Sequence, residues 1–217
     1  TDLQTRAVKD AAENANASEV YLITEPMAAA IGLGIDVSSP EGHMIVDIGG
    51  GTTEVAVLSL GGTVVSESLR IAGDEINDSI TSYLKKNHGL AVGERTAEKI
   101  KIKIGSAFPD DNFDNTSFEI RGLHLSSGLP RSITLNAVEI REAMADPLNK
   151  IVEAIKRTLE RTPPELAADI VERGIMLTGG GCLLGNLDKV LRRSTSLPIS
   201  IAEDPLLCVV MGTGRAL

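Results

Sequence analysis

Residues 46–54 read Val-Asp-Ile-Gly-Gly-Gly-Thr-Thr-Glu and stand between two apolar, β-branched runs. Met44 to Ile48 and Glu54 to Leu60 each predict a strand, so the glycines must reverse the chain within a few residues. Three successive residues without a Cβ fold tightly and expose consecutive N–H groups, a concavity that phosphate oxygens can enter. Asp47, at the strand end, is placed to hold a metal-bound water. Thr52 and Thr53 can donate to phosphate or to an attacking water. A ligand-free hairpin would require the glycines, but neither the aspartate before them nor the threonine pair behind.

The flanking pattern places this turn in a mixed sheet. Val55, Val57 and Ser59 alternate with Ala56, Leu58 and Leu60. Both faces are mostly apolar, which predicts a covered, central strand. Gly61-Gly62 joins it to a third strand, Thr63 to Arg70. Asp74 to His88 carries Ile76, Ile80, Tyr83 and Leu84 on one helical face, with Lys85, Lys86 and His88 in the last turn and Gly89 as a cap. Thr96 to Gly105 fits two periods: Ile100, Ile102 and Ile104 alternate with lysines as in a strand, while Ala97, Ile100 and Ile104 make a helical stripe. Pro109 to Asn115 is an acidic loop, and strands near Thr116 to Arg121 and Arg131 to Leu135 follow it. Asn136 with Glu139 has capping-box form and opens a helix to about Arg161, with a kink expected at Pro147 and a stop at Pro163-Pro164. Strand Gly174 to Thr178, helix Leu183 to Ser194, strand Pro198 to Ala202 and a helix after Pro205 complete the alternation. Before the first glycine turn come a helix through about Asn16 with Thr1 to Gln4 as its capping box, a short strand Glu19 to Ile23, and an Ala-rich helix, Met27 to Gly32. A meander feeding strand–helix units predicts an α/β sheet with helices on both faces. The loop holding Ser38, Ser39, Pro40 and Gly42 marks the main boundary.

Composition narrows the function. The 217 residues carry a net charge of -9 with 2% aromatics and no Trp, which argues against nucleic acid as a partner, since neither a cationic surface nor stacking platforms are supplied. Cys182 and Cys208 form no CxxC pair, and both read as reduced thiols of a cytosolic protein. His43, His88 and His124 lack metal-ligand spacing. No apolar run is long enough to span a bilayer. The chain opens at Thr1 rather than Met, so we expect a piece of a longer protein.

Three further segments carry chemistry. Thr178-Gly179-Gly180-Gly181 follows a strand and opens a helix, a place for an anion or a nucleotide edge, although tight turns also use glycine purely for packing. In Thr24-Glu25-Pro26 the carboxylate at a strand-to-helix turn can orient a water, or merely complement the helix dipole. Glu98 and Lys101, if helical, share a face and can grip a ribose or base; alternatively they form a solvated ion pair.

Taken together these segments resemble the actin, sugar-kinase and seventy-kilodalton heat-shock ATPase superfamily, and within it the rod-shape-determining MreB branch. The resemblance rests on Glu-Pro-Met-Ala-Ala-Ala-Ile-Gly at 25–32, Asp-Ile-Gly-Gly-Gly-Thr-Thr-Glu-Val-Ala-Val at 47–57, Gly-Glu-Arg-Thr-Ala-Glu-Lys-Ile-Lys at 93–101, Leu-Thr-Gly-Gly-Gly at 177–181 and Ala-Glu-Asp-Pro-Leu at 202–206. It implies an actin-like, ribonuclease-H-like α/β fold: residues 1–43 as the back portion of domain I, 44–204 as domain II with 72–135 its inserted outer subdomain, and 205–217 as a final helix returning toward domain I. It implies ATP and Mg²⁺ as cofactors. Glu25 and Thr52 would serve the hydrolytic water, and Asp47 the Mg²⁺ through water. Gly49, Gly50, Gly51, Thr52 and Thr53 would hold the phosphates. Glu98 and Lys101 would contact adenosine, which makes their segment helical, and Gly179, Gly180 and Gly181 would wall the base and ribose. The implied function is an ATP-hydrolysing bacterial actin that polymerises with itself and determines rod shape with cell-shape and cell-wall-synthesis membrane proteins, in the cytoplasm at the inner face of the membrane. The family's first phosphate loop and its membrane-anchoring segments have no counterpart in these residues, so this piece is expected to bind ATP far more weakly than a full-length member. A heat-shock-type chaperone ATPase shares the glycine turn and the Glu-Pro turn and is the alternative. A sugar kinase of the superfamily would need a catalytic aspartate that we do not find, and a domain binding only proteins would not bind ATP.

Overall fold

The computed structural model describes residues 2–217. Thr1, and with it the capping box expected at the N-terminus, lies outside them.

Helices α1 (Asp2–Asn14) and α2 (Glu25–Gly32) precede a meander of β1 (His43–Ile48), β2 (Thr53–Ser59) and β3 (Gly62–Leu69). Then come α3 (Gly73–His88), β4 (Leu90–Ala91), α4 (Glu94–Ile104), α5 (Asp111–Asp114), β5 (Ser117–His124), β6 (Leu129–Asn136), α6 (Ala137–Glu160), α7 (Pro164–Arg173), β7 (Ile175–Thr178), α8 (Leu187–Thr195), β8 (Ile199–Ile201) and α9 (Cys208–Arg215). The larger sheet runs β3-β2-β1-β7-β8, with β4-β5-β6 as a second sheet. Strand β1 pairs antiparallel with β2 and parallel with β7. It therefore lies at the centre, where a run apolar on both faces belongs.

The pleat sorts the side chains of β1 and β2. Met44, Val46, Ile48, Val55 and Val57 join the core beneath α3 and α6, while Ile45, Ala56 and Leu58 face Ala29, Ala30 and Cys208 of α2 and α9. By the same alternation Asp47 and Glu54 emerge on the α2/α9 face, opposite each other in register. Helices α2 and α9 meet without side chains between them. A Cβ added at Gly32 would overlap the Cys208 carbonyl oxygen, and one added at Gly212 the Ala28 carbonyl oxygen. Arg215 closes the seam by donating to the Ile31 and Gly32 carbonyls at 3.1 and 2.6 Å, a cation satisfying the last turn of α2.

Some sequence expectations are corrected, and one left open is decided. Residues 19–23 form no strand; Tyr21 is 73% exposed, and no neighbouring strand among the described residues supplies a ladder. The segment 96–105 is helical, with Ala97, Ile100 and Ile104 buried and Ile102 70% exposed, so the helical stripe prevails over the alternation. Pro163-Pro164 does stop α6, yet Pro164 also begins α7, where its missing N–H costs nothing. The expected helix from Leu183 splits into a 3-10 turn, Gly180–Leu183, and α8, because Asn186 takes a left-handed φ of 56° between them. The β2–β3 hairpin turns on Leu60 and Gly61, one residue earlier than expected, with φ of 50° and 71°. The acidic loop holds α5, whose N-cap Asp110 accepts from the Asn112 amide at 3.0 Å.

Asn136 and Glu139 form a complete capping box: Glu139 N donates to Asn136 Oδ1 at 2.9 Å, and Asn136 N donates to Glu139 Oε1 at 2.7 Å. Helix α6 runs through Pro147 to Glu160. Asn136→Ala is expected to lower stability by about 1 kcal/mol, read by urea denaturation. No change would mean that tertiary packing alone holds this helix end.

Candidate functional site

The glycine turn sits where three elements converge. Gly49 N donates to Thr52 O at 2.9 Å and closes the turn. Its outer edge rests on the start of α3: Gly73 N donates to Gly49 O at 3.1 Å and Asp74 N to Gly50 O at 2.8 Å. Among the described residues no acceptor takes the amides of Gly50, Gly51 or Thr52, and all three residues are exposed. Exposed amides of this kind bond to water in the free protein, and a run of successive ones can instead take an anion.

Asp47 is only 6% exposed. Burial, then the charges of Glu25 and Glu54, push its carboxyl up from the usual 3.8 to about 6. Glu25, exposed at the first turn of α2, thus stands on the same side of the sheet as Asp47, brought there by the pleat. Glu54 accepts from Ser68 Oγ at 2.8 Å. Three carboxylates share this side of the sheet without a close cationic partner among the described residues. That arrangement fits a hard cation taking one or two carboxylates, waters and a ligand's phosphates, although no group of three or more metal-binding side chains occurs among the described residues.

The carboxyl of Asp47 sets a pH dependence. Its folded value lies above the unfolded one, so between about pH 4 and pH 6 the folded chain keeps a proton that the unfolded chain has released. Stability from this group is greatest at acid pH, falls through that window and stays low above it. Asp47→Asn is therefore expected to stabilise the ligand-free protein by about 1–2 kcal/mol near pH 7.5, allowing for solvent at the mouth, and to flatten the slope between about pH 4 and 6. Urea midpoints at the two ends of the window check this; an unchanged slope would remove Asp47 as its source.

The second glycine segment touches the first. Thr178 pairs with Asp47 across β1 and β7. Gly179 has φ of 79°, and a Cβ there would overlap Asp47 Oδ1 and the Ile48 carbonyl oxygen, while one at Gly181 would strike the Ile48 side chain. Glycine is required at both for close packing. From Gly180 to Leu183 the chain makes a short 3-10 turn rather than the helix expected from sequence. Gly179 N and Thr178 Oγ1 both donate to the Pro205 carbonyl, at 3.0 and 3.1 Å.

One assignment changes, and a second residue gains a structural contact. Thr53 is fully buried and its hydroxyl donates to Ile71 O at 2.7 Å, so its proton supports the sheet edge and is unavailable to a phosphate. Lys101 is half-buried and donates to Gly73 O at 2.9 Å. Burial pushes its ammonium below the usual lysine value, against the pull of Glu98 and Asp74. The ammonium thus supports the α3 start that carries the glycine turn, while Glu98, one turn earlier on α4, is exposed. Sequence reasoning missed Gly73 and Asp74. The sequence signal was a glycine and an aspartate opening a helix soon after a strand; in the fold, a Cβ at Gly50 would lie 3.6 Å from the Asp74 carboxylate.

The two sheets, the meander that feeds parallel strands and the paired glycine turns define an actin-like α/β fold. The sequence profile of the MreB/Mbl protein family matches residues 1–217. The chain belongs to that family. It is 54% identical over 217 residues to the cell shape-determining protein MreB of Escherichia coli, the match covering 100% of this chain and 62% of that protein. The cell shape-determining protein Mbl of Bacillus subtilis is 49% identical over 214 residues, 99% of this chain and 64% of Mbl. The chain thus spans less than two thirds of the length of these relatives. The crystal structure of MreB5 of Spiroplasma citri bound to AMPPNP superposes with a TM-score of 0.94 at 40% identity, covering 99% of this chain and 64% of that one. The MamK filament seen by electron cryomicroscopy shares the fold, with a TM-score of 0.76 at 20% identity over 99% of this chain and 64% of MamK.

Proposed function

We propose that this chain supplies the nucleotide-binding core of an ATP-hydrolysing bacterial actin that polymerises and determines cell shape. The observation that carries the proposal is the row of unpartnered amides at Gly50, Gly51 and Thr52 beside the Asp47 carboxylate. Solved relatives support the nucleotide: MreB5 is described bound to AMPPNP and to ADP. Related names support the role, since MreB and Mbl are cell shape-determining proteins and MamK is seen as a filament.

The turn amides would bind the β- and γ-phosphates by charge-assisted hydrogen bonds. Glu25 would accept a hydrogen bond from the attacking water and align it with the γ-phosphorus, with Thr52 beside it. The new P–O bond would form to that water as the bond to the β-γ bridging oxygen breaks, with the water's proton passing to the released phosphate or to solvent, giving ADP and phosphate. Mg²⁺, held through water by Asp47, would offset phosphate charge when bound. Glu98 and the Gly179–Gly181 segment would flank the nucleoside. Subunits would stack head to tail, a contact that propagates instead of closing. Cell-shape and cell-wall-synthesis membrane proteins would be the further partners, at the cytoplasmic face of the membrane.

Sedimentation of the full-length protein with Mg-ATP, alongside phosphate release, tests this. Nucleotide-dependent pelleting with release of phosphate is expected. A protein that binds no nucleotide by calorimetry would overturn the proposal.

A further inference from the structure

One peptide joins Lys101 to the glycine turn. Lys101 Nζ donates to Gly73 O at 2.9 Å. The same peptide's N–H is that of Asp74, and it donates to Gly50 O at 2.8 Å. The peptide beyond Gly50 presents the Gly51 N–H, which has no acceptor among the described residues. In trans peptides C=O and N–H point in opposite directions, and the described residues contain no cis bond. The two peptides are therefore connected head to tail, with an ammonium at one end and a free N–H at the other.

Hydrogen bonds in such a row polarise one another, and a low local dielectric strengthens the effect. Aligned peptide dipoles give a helix its positive end for the same reason. A cation at the tail adds to that polarisation. The junction is tight: a Cβ on Gly73 would lie 3.3 Å from Gly49 O, 3.4 Å from Lys101 Nζ and 3.6 Å from Gly50 Cα. The groups that act on the ammonium are Glu98 from its own helix and Asp74 from α3.

We propose that Lys101 is a phosphate-positioning residue, whose ammonium acts through the Gly73–Asp74 and Gly50–Gly51 peptides to strengthen the Gly51 amide as a donor to a nucleotide's terminal phosphates. This rests on the phosphate-binding role proposed for the turn; one of the ammonium's three hydrogens is used, so a nucleoside contact for this lysine is retained. The nucleoside side of the site and the phosphate turn are then linked through one side chain.

Calorimetry with inorganic triphosphate and, separately, adenosine tests it on the full-length protein and its Lys101→Met variant. Triphosphate affinity is expected to fall about tenfold, whatever the change in adenosine affinity. Loss of adenosine affinity with triphosphate affinity intact, or no change in either, overturns the proposal. A wild-type protein that binds neither triphosphate nor ATP defeats the phosphate role of the turn itself, a separate result. A second measurement requires no variant. In the wild-type protein the carbonyl ¹³C resonances of Gly73 and Gly50 should both follow the ionisation of Lys101 with one midpoint. A Gly73 shift without a Gly50 shift overturns the relay even if Lys101→Met fails to fold.

Discussion

Glu25→Gln in the full-length protein is expected to slow ATP hydrolysis by about a hundredfold to a thousandfold while changing the dissociation constant for ATP by less than about threefold. The carboxylate lies at the first turn of α2, exposed, on the side of the sheet from which Asp47 and Glu54 emerge. Its charge helps to raise the Asp47 carboxyl, which puts it on the side where the proposed metal would sit, while on the proposed reading the bulk of phosphate affinity would come from the turn amides. An amide at this position keeps the size and hydrogen-bonding capacity of the side chain but not the basic oxygen that orients a nucleophilic water. Single-turnover phosphate release and equilibrium nucleotide binding separate the two effects. Equal losses in both would show that Glu25 holds nucleotide rather than water.

The second large effect concerns stability. Gly212→Ala is expected to lower it by about 2–3 kcal/mol, despite the gain of about 1 kcal/mol that alanine normally brings to a helix. The new methyl would overlap the backbone oxygen of Ala28, which cannot rotate away as a side chain would. Relief requires α9 to lift from α2, which uncovers Ala29, Ala30 and Cys208. Thermal and urea unfolding measure the loss. Unchanged stability would mean that the seam is looser than the glycine contacts imply. Gly214→Ala, where an added Cβ meets nothing, is the matched control.

The sheet was legible because its signals are local. The alternation in 54–60, the glycines after Asp47 and the Asn136–Glu139 pair each determine a conformation within a few residues. Residues 19–23 carried strand composition, but a strand also needs a partner, and composition says nothing of partners. Two periods fitted 96–105 because the isoleucines were spaced to serve either; packing of Ala97, Ile100 and Ile104 decided it. At the site, the turn's amides and the placement of Asp47 came from residue type and pleat. The destination of the Thr53 hydroxyl and of the Lys101 ammonium did not. Ile71 lies 18 residues from Thr53, and Gly73 lies 28 from Lys101, so neither bond leaves a mark in any short window. A side chain suited to a ligand is equally suited to a carbonyl, and only the fold decides which it meets.

The bare seam between α2 and α9 also has a mechanical meaning. Two helices whose backbones touch have little free play, so a shift of one drives the other. One of them begins with the carboxylate assigned to the water. The chain reaches the other from Pro205, whose oxygen anchors Thr178 and Gly179. A ligand that moves the second glycine segment would therefore swing Glu25 as well, gearing the alignment of the nucleophile to whatever rests against Gly179–Gly181.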